Sequence, residues 1–261
     1  MERLREPESK VFNCDCIDYM RSLPDKYFDL IIADPPYGGG NDEQLGGVKN
    51  RFHKGGVFEK YHQPTDSAEE HGQHDTSYQS CARREICEIR TGRAEVPKWD
   101  ITPPQEYFDE LMRVSKEQII WGGNYFSLPP TRCFLVWKKH IPETFSMAMC
   151  EYAWTSFKGN AKLFEFPSTR KDYSGKFHPT EKPIELYQWI LRNYAKEGDK
   201  IFDPNMGSQN SRLAAYSLGF DYCGCEINTY YFNKGNENFD KLIKGIIKGK
   251  NGKEYIQQSL F

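Results

Sequence analysis

Two short stretches carry residue types whose spacing points to chemistry rather than to packing. The first is Asp34-Pro35-Pro36-Tyr37, which follows the apolar run Phe28–Ala33 and is followed by Gly38, Gly39 and Gly40. A carboxylate at the end of a buried strand can accept a hydrogen bond from an amine. Two prolines fix the backbone beside it and leave carbonyls with no competing N–H of their own. Tyr37 adds a ring able to stack on a planar base. Together these suit an exocyclic amine on an aromatic ring, whose lone pair is delocalised and poorly nucleophilic. Acceptors on both of its hydrogens favour a tetrahedral nitrogen with the lone pair directed outward, which is catalysis by positioning and electrostatics. A plain β-turn with a helix-capping Asp is the bland alternative, and so particular a tetrapeptide after an apolar run argues against it.

The second stretch is Asp203-Pro204-Asn205-Met206-Gly207-Ser208, where a strand turns into a helix. Glu226 stands 19 positions past Gly207, near the end of the next strand. In dinucleotide folds, an acid about 20 residues beyond the glycine turn binds ribose hydroxyls. A nicotinamide dinucleotide would fit that spacing, but Gln209 and Asn210 stand where further glycines would be needed to cradle a pyrophosphate. A nucleoside cofactor without phosphates fits better.

Both loops need strand ends to hold them. Apolar runs and turn residues predict strands over 11–14, 28–33, 118–121, 133–137, 152–157, 200–202 and 221–225, and helices over 18–23, 104–114, 183–194 and 208–218. Pro183 opens its helix and Gly219 closes the last one. Strands alternating with helices predict a parallel, doubly wound α/β sheet, in which ligands bind past the carboxyl ends of the strands. Residues 38–98 are polar and aperiodic, and read as a lid or recognition insert in a single 1–261 domain.

The chain has 261 residues and 38% hydrophobic content, enough for one buried α/β domain. A net charge of −2 excludes binding to nucleic acid by bulk charge. From Arg132 to Lys182, however, nine Lys/Arg face five Asp/Glu, which permits a basic face on a neutral protein. No apolar stretch follows a basic N-terminus and none is long enough to span a bilayer, so the eight cysteines read as free thiols of a cytoplasmic protein. His71, His74, Cys81 and Cys87 match no standard zinc knuckle, and no metal is assigned to them.

Taken together, these residues resemble the β-class amino-methyltransferases of DNA, over nearly the whole chain except the insert. The resemblance implies a Rossmann-like, doubly wound mixed sheet of the class I methyltransferase type, circularly permuted so that the catalytic loop precedes the cofactor loop. It implies S-adenosylmethionine as cofactor, DNA as partner, transfer to adenine N6, and an assembly compatible with a homodimer. Asp34, Pro35, Pro36 and Tyr37 look like the catalytic motif. Asn13-Cys14-Asp15 looks like the motif whose acid, Asp15, meets the cofactor adenine. His178-Pro179-Thr180-Glu181-Lys182-Pro183 looks like the motif that holds the methionine end, with Thr180 and Lys182 as its contacts. Asp203, Asn205, Gly207 and Ser208 look like the cofactor loop, and Glu226 like the ribose acid. Gln209 stands where the family usually has a second glycine, and Asn205 where phenylalanine is commoner. The recognition region before His178 is short, so Arg51, Lys54, Arg83, Arg84, Arg90 and Arg93 of the insert are expected to face DNA. The alternatives left open are the same transfer to cytosine N4, to RNA or to a protein amide, and a nucleic-acid-binding module with catalysis lost at Gln209.

Overall fold

The fold begins with Ser9–Phe12 (β1), Cys16–Arg21 (α1) and Phe28–Ala33 (β2) in a computed structural model that describes residues 6–38, 101–145, 147–168, 177–248 and 254–256. The chain divides into two units, Met1–Pro35 with Pro103–Phe261, and Pro36–Thr102. In the second, Thr102 Oγ1 donates to the Tyr37 carbonyl (3.4 Å). The expectations for the insert, including its histidines, cysteines and arginines, fall outside the described residues.

The first unit continues with Gln105–Val114 (α2), Ser115–Trp121 (β3), Leu135–Lys138 (β4), Cys150–Thr155 (β5) and Lys162–Glu165 (β6). Ile184–Tyr194 (α3), Lys200–Asp203 (β7), Asn210–Ser217 (α4), Asp221–Cys225 (β8) and Thr229–Ile243 (α5) follow. Ile246–Lys248 (β9) and Glu254–Ile256 (β10) pair as a separate antiparallel ribbon. The main sheet has the order β1-β8-β7-β2-β3-β5-β4-β6. Every pairing in it is parallel except those of β5, which runs against β3 and β4. The wholly parallel sheet read from alternation is therefore corrected to a mixed one, as the family resemblance implied.

Two apolar layers explain why β2 ends in the apolar run Leu30–Ala33 and β3 in Ile119–Trp121, since both faces of the sheet are covered there. Leu30, Ile32, Ile119, Trp121, Ile201 and Tyr222 pack with Leu186, Ile190, Ala214 and Ala215 under α3 and α4. Their neighbours Ile31, Ala33, Ile120, Phe202 and Cys223 pack with Met20, Tyr107, Phe108 and Leu111 under α1 and α2. The side chains alternate between layers with the strand period of two.

Besides the β9–β10 ribbon, three features of the main sheet and its helices escaped the sequence. β6 is a four-residue strand whose Leu163 is exposed, too short to show a period. The helix α5 contains Gly235 and several asparagines, poor helix formers. Its start is fixed by Asn228, whose side chain accepts from the Tyr230 and Tyr231 amides. Finally, β3 begins at Ser115, three residues earlier than periodicity predicts, because α2 runs into it with no turn. Ser115 Oγ donates to the Leu111 carbonyl (2.6 Å) and accepts from Gln118 Nε2 (2.8 Å), all of it buried. Ser115→Ala should therefore cost about 1–3 kcal/mol, because it removes two buried hydrogen bonds of about 0.5–1.5 kcal/mol each, while Gln118 Nε2 keeps its bond to the Ser115 carbonyl (3.1 Å). Urea unfolding followed by tryptophan fluorescence measures it, and an unchanged midpoint would show that the junction needs no such link.

Candidate active site

The carboxyl edge of the sheet gathers the chemistry. Asp34 and the buried Pro35 leave β2 one step beyond the Ala33–Ile120 pair, beside Trp121. Asp34 meets Lys182, whose Nζ lies 2.5 Å from Oδ2. The same ammonium lies 3.1 Å from Glu151 Oε2 and 5.3 Å from the centre of the Trp121 ring. Lys139 Nζ holds the other Glu151 oxygen at 2.6 Å. Lys182 is placed by the chain before α3, where Asn210 Nδ2 donates to the Lys182 carbonyl (2.8 Å) and to Glu181 Oε1 (2.9 Å).

The Lys182 side chain is only 3% exposed. Burial alone would lower its pKa, but the charges of Asp34 and Glu151 outweigh that and raise it, so it stays an ammonium. Burial would push Glu151 upward, and Lys182 and then Lys139 bring it down instead, to about 2. Asp34, Lys182, Glu151 and Lys139 form a chain of alternating charge that sums to zero.

The second loop lies on the neighbouring strands. Asp203 at the end of β7 is 1% exposed, with Oδ2 accepting from Ser211 Oγ (2.5 Å) and Oδ1 from the Asn205 amide (2.9 Å). Asn205 Oδ1 also accepts from the buried Tyr107 hydroxyl. Glu226, just past β8, accepts from the amides of Gly207 and Asn228 (2.8 Å each). Gly207 has φ +51°, and a β-carbon there would meet the His178 ring at 3.1 Å, so the loop closes on that ring only with glycine. Ser208 is buried behind it.

Gln209 takes a left-handed conformation (φ 62°), which costs a side-chain-bearing residue about 1–2 kcal/mol. That is the backbone state a second glycine would adopt freely. The buried side chain compensates: Nε2 donates to the Phe232 carbonyl (3.0 Å) and Oε1 accepts from Arg212 Nη1 (2.9 Å). Gly235 of α5 makes room for it, since a β-carbon there would stand 2.5 Å from Gln209 Nε2. Gln209 thus ties the loop to α5.

Of the other residues singled out in the sequence, Asp15 caps α1, its Oδ1 accepting from the Ile17 amide (2.7 Å). Thr180 is exposed, its Oγ1 lying 3.3 Å from His178 Nδ1. Asn13 bonds to the carbonyl of Glu226 (2.7 Å), joining the first motif to the last. Pro36 and Tyr37 lie in the second unit. Lys182, expected at the methionine end of the cofactor, is joined to Asp34 and Glu151. Sequence reasoning missed Glu151, Lys139 and Tyr107. Lys139 and Glu151 enter it only as charges counted within 132–182, and Tyr107 only as an apolar residue of the helix over 104–114.

The donor set suits S-adenosylmethionine. Burial raises Asp203 to about 7, and the charges of Asp34 and Glu226 add to that effect against the bonds from Ser211 and Asn205. Burial also raises Glu226. A loop of mutually repelling carboxylates welcomes a sulfonium and an ammonium and repels a pyrophosphate.

Comparison with known proteins agrees. The family model of DNA methylases (N6_N4_Mtase) matches residues 96–237. The chain is similar to the Type II methyltransferase M2.MboI of Moraxella bovis, 24% identical over 262 residues, 91% of this chain and 90% of that protein. Its fold is similar to TTHA0409 of Thermus thermophilus, described as a DNA modification methylase (TM-score 0.50, 15% identity, 91% and 96% covered). It is equally similar to the cytosine-N4-specific PvuII DNA methyltransferase (TM-score 0.50, 11% identity, 95% of each chain). Among the described residues no helix is long and apolar enough to cross a membrane.

Two outcomes follow from this geometry. Asp203 keeps a proton in the folded chain that the unfolded chain loses near pH 4, so its contribution to stability falls as pH rises from about 4 to about 7. Asp203→Asn should flatten that part of the stability–pH curve, and an unchanged slope would show that Asp203 does not titrate there. Gly235→Ala should destabilise by about 1–3 kcal/mol through overpacking, and much less when Gln209→Ala is present. Denaturation of both singles and the double reads the coupling, which additive losses would refute.

Proposed function

The chain belongs to the DNA methylase family of N6 and N4 amino-methyltransferases, and we propose that within it this protein methylates the N6 amine of adenine in duplex DNA at a defined site. As a DNA methylase it uses S-adenosylmethionine, which when bound supplies an electrophilic methyl on a sulfonium. The reading rests above all on Asp34, a carboxylate at the end of a buried strand, joined to a buried ammonium and adjacent to an acidic cofactor loop. By the habit of the family the motif resembles, Asp rather than Ser at position 34 favours adenine over cytosine N4.

The residues of the chain carry out the following work. The target base leaves the duplex, at a cost of about a few kcal/mol offset by protein contacts. Asp34 and the Pro35 carbonyl accept the two amine hydrogens and direct the nitrogen lone pair outward. Pro36 restricts the backbone and Tyr37 supplies a stacking face, the roles assigned to them from sequence. With the cofactor bound, its methyl would pass to that lone pair, leaving the sulfur as a neutral thioether, and the amine proton given up would go to water. Such positioning acts on the transition state and so raises kcat. Glu226 and Asp15 are assigned to the nucleoside of the cofactor. Asp203, Asn205, Gly207, Ser208 and Thr180 are assigned to the loop and pocket around it. Lys182 is assigned to the junction of the two sites. A homodimer is the assembly that the resemblance implies, and sedimentation equilibrium tests it.

The deciding experiment is transfer of labelled methyl from S-adenosylmethionine to unmethylated duplex DNA, with nucleoside analysis of the product. N6-methyladenine is the expected product; N4-methylcytosine would transfer the same mechanism to the other amine. Asp34→Asn should lower kcat by about 10³-fold or more while the cofactor dissociation constant changes little. Near-normal turnover in that variant would remove Asp34 from the mechanism.

A further inference from the structure

Glu151 lies at the start of the one antiparallel strand of the main sheet, and that direction brings it to the edge where the parallel strands end. Its Oε1 accepts from Lys139 Nζ (2.6 Å), and its buried Oε2 lies 3.1 Å from Lys182 Nζ as an ion pair without hydrogen-bond geometry. Lys182 would be neutralised by Asp34 alone. Glu151 is itself matched by Lys139, so its contact with Lys182 is an addition to two pairs that already balance. What the second contact adds is direction. An ammonium held only by Asp34 can swing with that side chain, whereas one held between the end of β2 and the start of β5 is fixed by two separate strands. The Asp34 carboxylate, itself one residue past its strand, then has a fixed partner for Oδ2.

We propose that Glu151 is a positioning residue for methyl transfer: by sharing the Lys182 ammonium with Asp34 it sets the orientation in which the Asp34 carboxylate meets the substrate amine, and Lys139 holds Glu151 in place. The proposal rests on the reading of Asp34 as the acceptor of that amine. Glu151 touches neither substrate nor cofactor in this scheme. Its effect should therefore appear in the chemical step and not in binding, because a shift of about 1 Å at a reacting group can cost 10²-fold in rate.

The test is steady-state methyl transfer to duplex DNA by the full-length protein and its variants, with cofactor binding followed by calorimetry. Glu151→Gln should lower kcat by about 10–100-fold, with KM for DNA and the cofactor dissociation constant within about twofold of the parent. Glu151→Asp should recover part of the loss. In a Lys182→Met background, Glu151→Gln should add nothing further, because the contact it acts through is gone. Unchanged kcat, a loss confined to KM, or additive losses would each overturn the proposal. Should Glu151→Gln not fold, Lys139→Gln replaces it, with a smaller loss expected in kcat alone and a parental kcat overturning the idea. A parent enzyme inert on DNA would overturn the reading of Asp34 and this proposal together. An active parent with a normal Glu151→Gln variant overturns this proposal alone.

Discussion

A lysine ammonium withdrawn from water costs several kcal/mol unless charge partners meet it inside the protein. Lys182 is in that position, and its partners come from residues 34 and 151, with residue 139 behind them. These positions are scattered through the chain and converge only because β2, β3, β5 and β4 lie side by side with β5 reversed. Removing either carboxylate would leave a buried charge poorly matched. The sheet order and the charge chain thus require one another, and the catalytic loop inherits its geometry from both.

The neighbouring loop follows a different electrostatic logic. Hydroxyl and amide donors, rather than an ammonium, hold the carboxylates of Asp203 and Glu226 in place. Burial favours the protonated form of both, so each gives up its proton most readily when a cation binds beside it. The two halves of the site are thereby distinguished: one carboxylate is neutralised by a permanent internal ammonium, and two are left to be neutralised by what binds.

Much of this could be read from the sequence, for reasons that differ by element. β2 was found as an apolar run ended by turn residues, α2 and α3 because their apolar residues follow a helical period, and the two loops because proline, glycine and acid together interrupt such patterns. The placement of Asp34, Asp203 and Glu226 at one edge followed from parallel strands. Glu151 did not, since a lone acid at the mouth of a short strand has no local signature, and its meaning depends on strand direction, which neighbours far along the chain decide. Lys182 was found as a site residue through its motif but assigned to the cofactor, because spacing along the chain does not reveal which carboxylate an ammonium will reach. The helix α5 was hidden by the residue types that let it meet Gln209.

That meeting has a consequence for redesign. Positions 209 and 235 form one unit, because a β-carbon at 235 would stand 2.5 Å from the Gln209 side chain. Glycine at 209 would relieve the left-handed backbone and open that space together. The helix could then take alanine at 235, the better helix former, so any gain in stability there needs both positions changed at once.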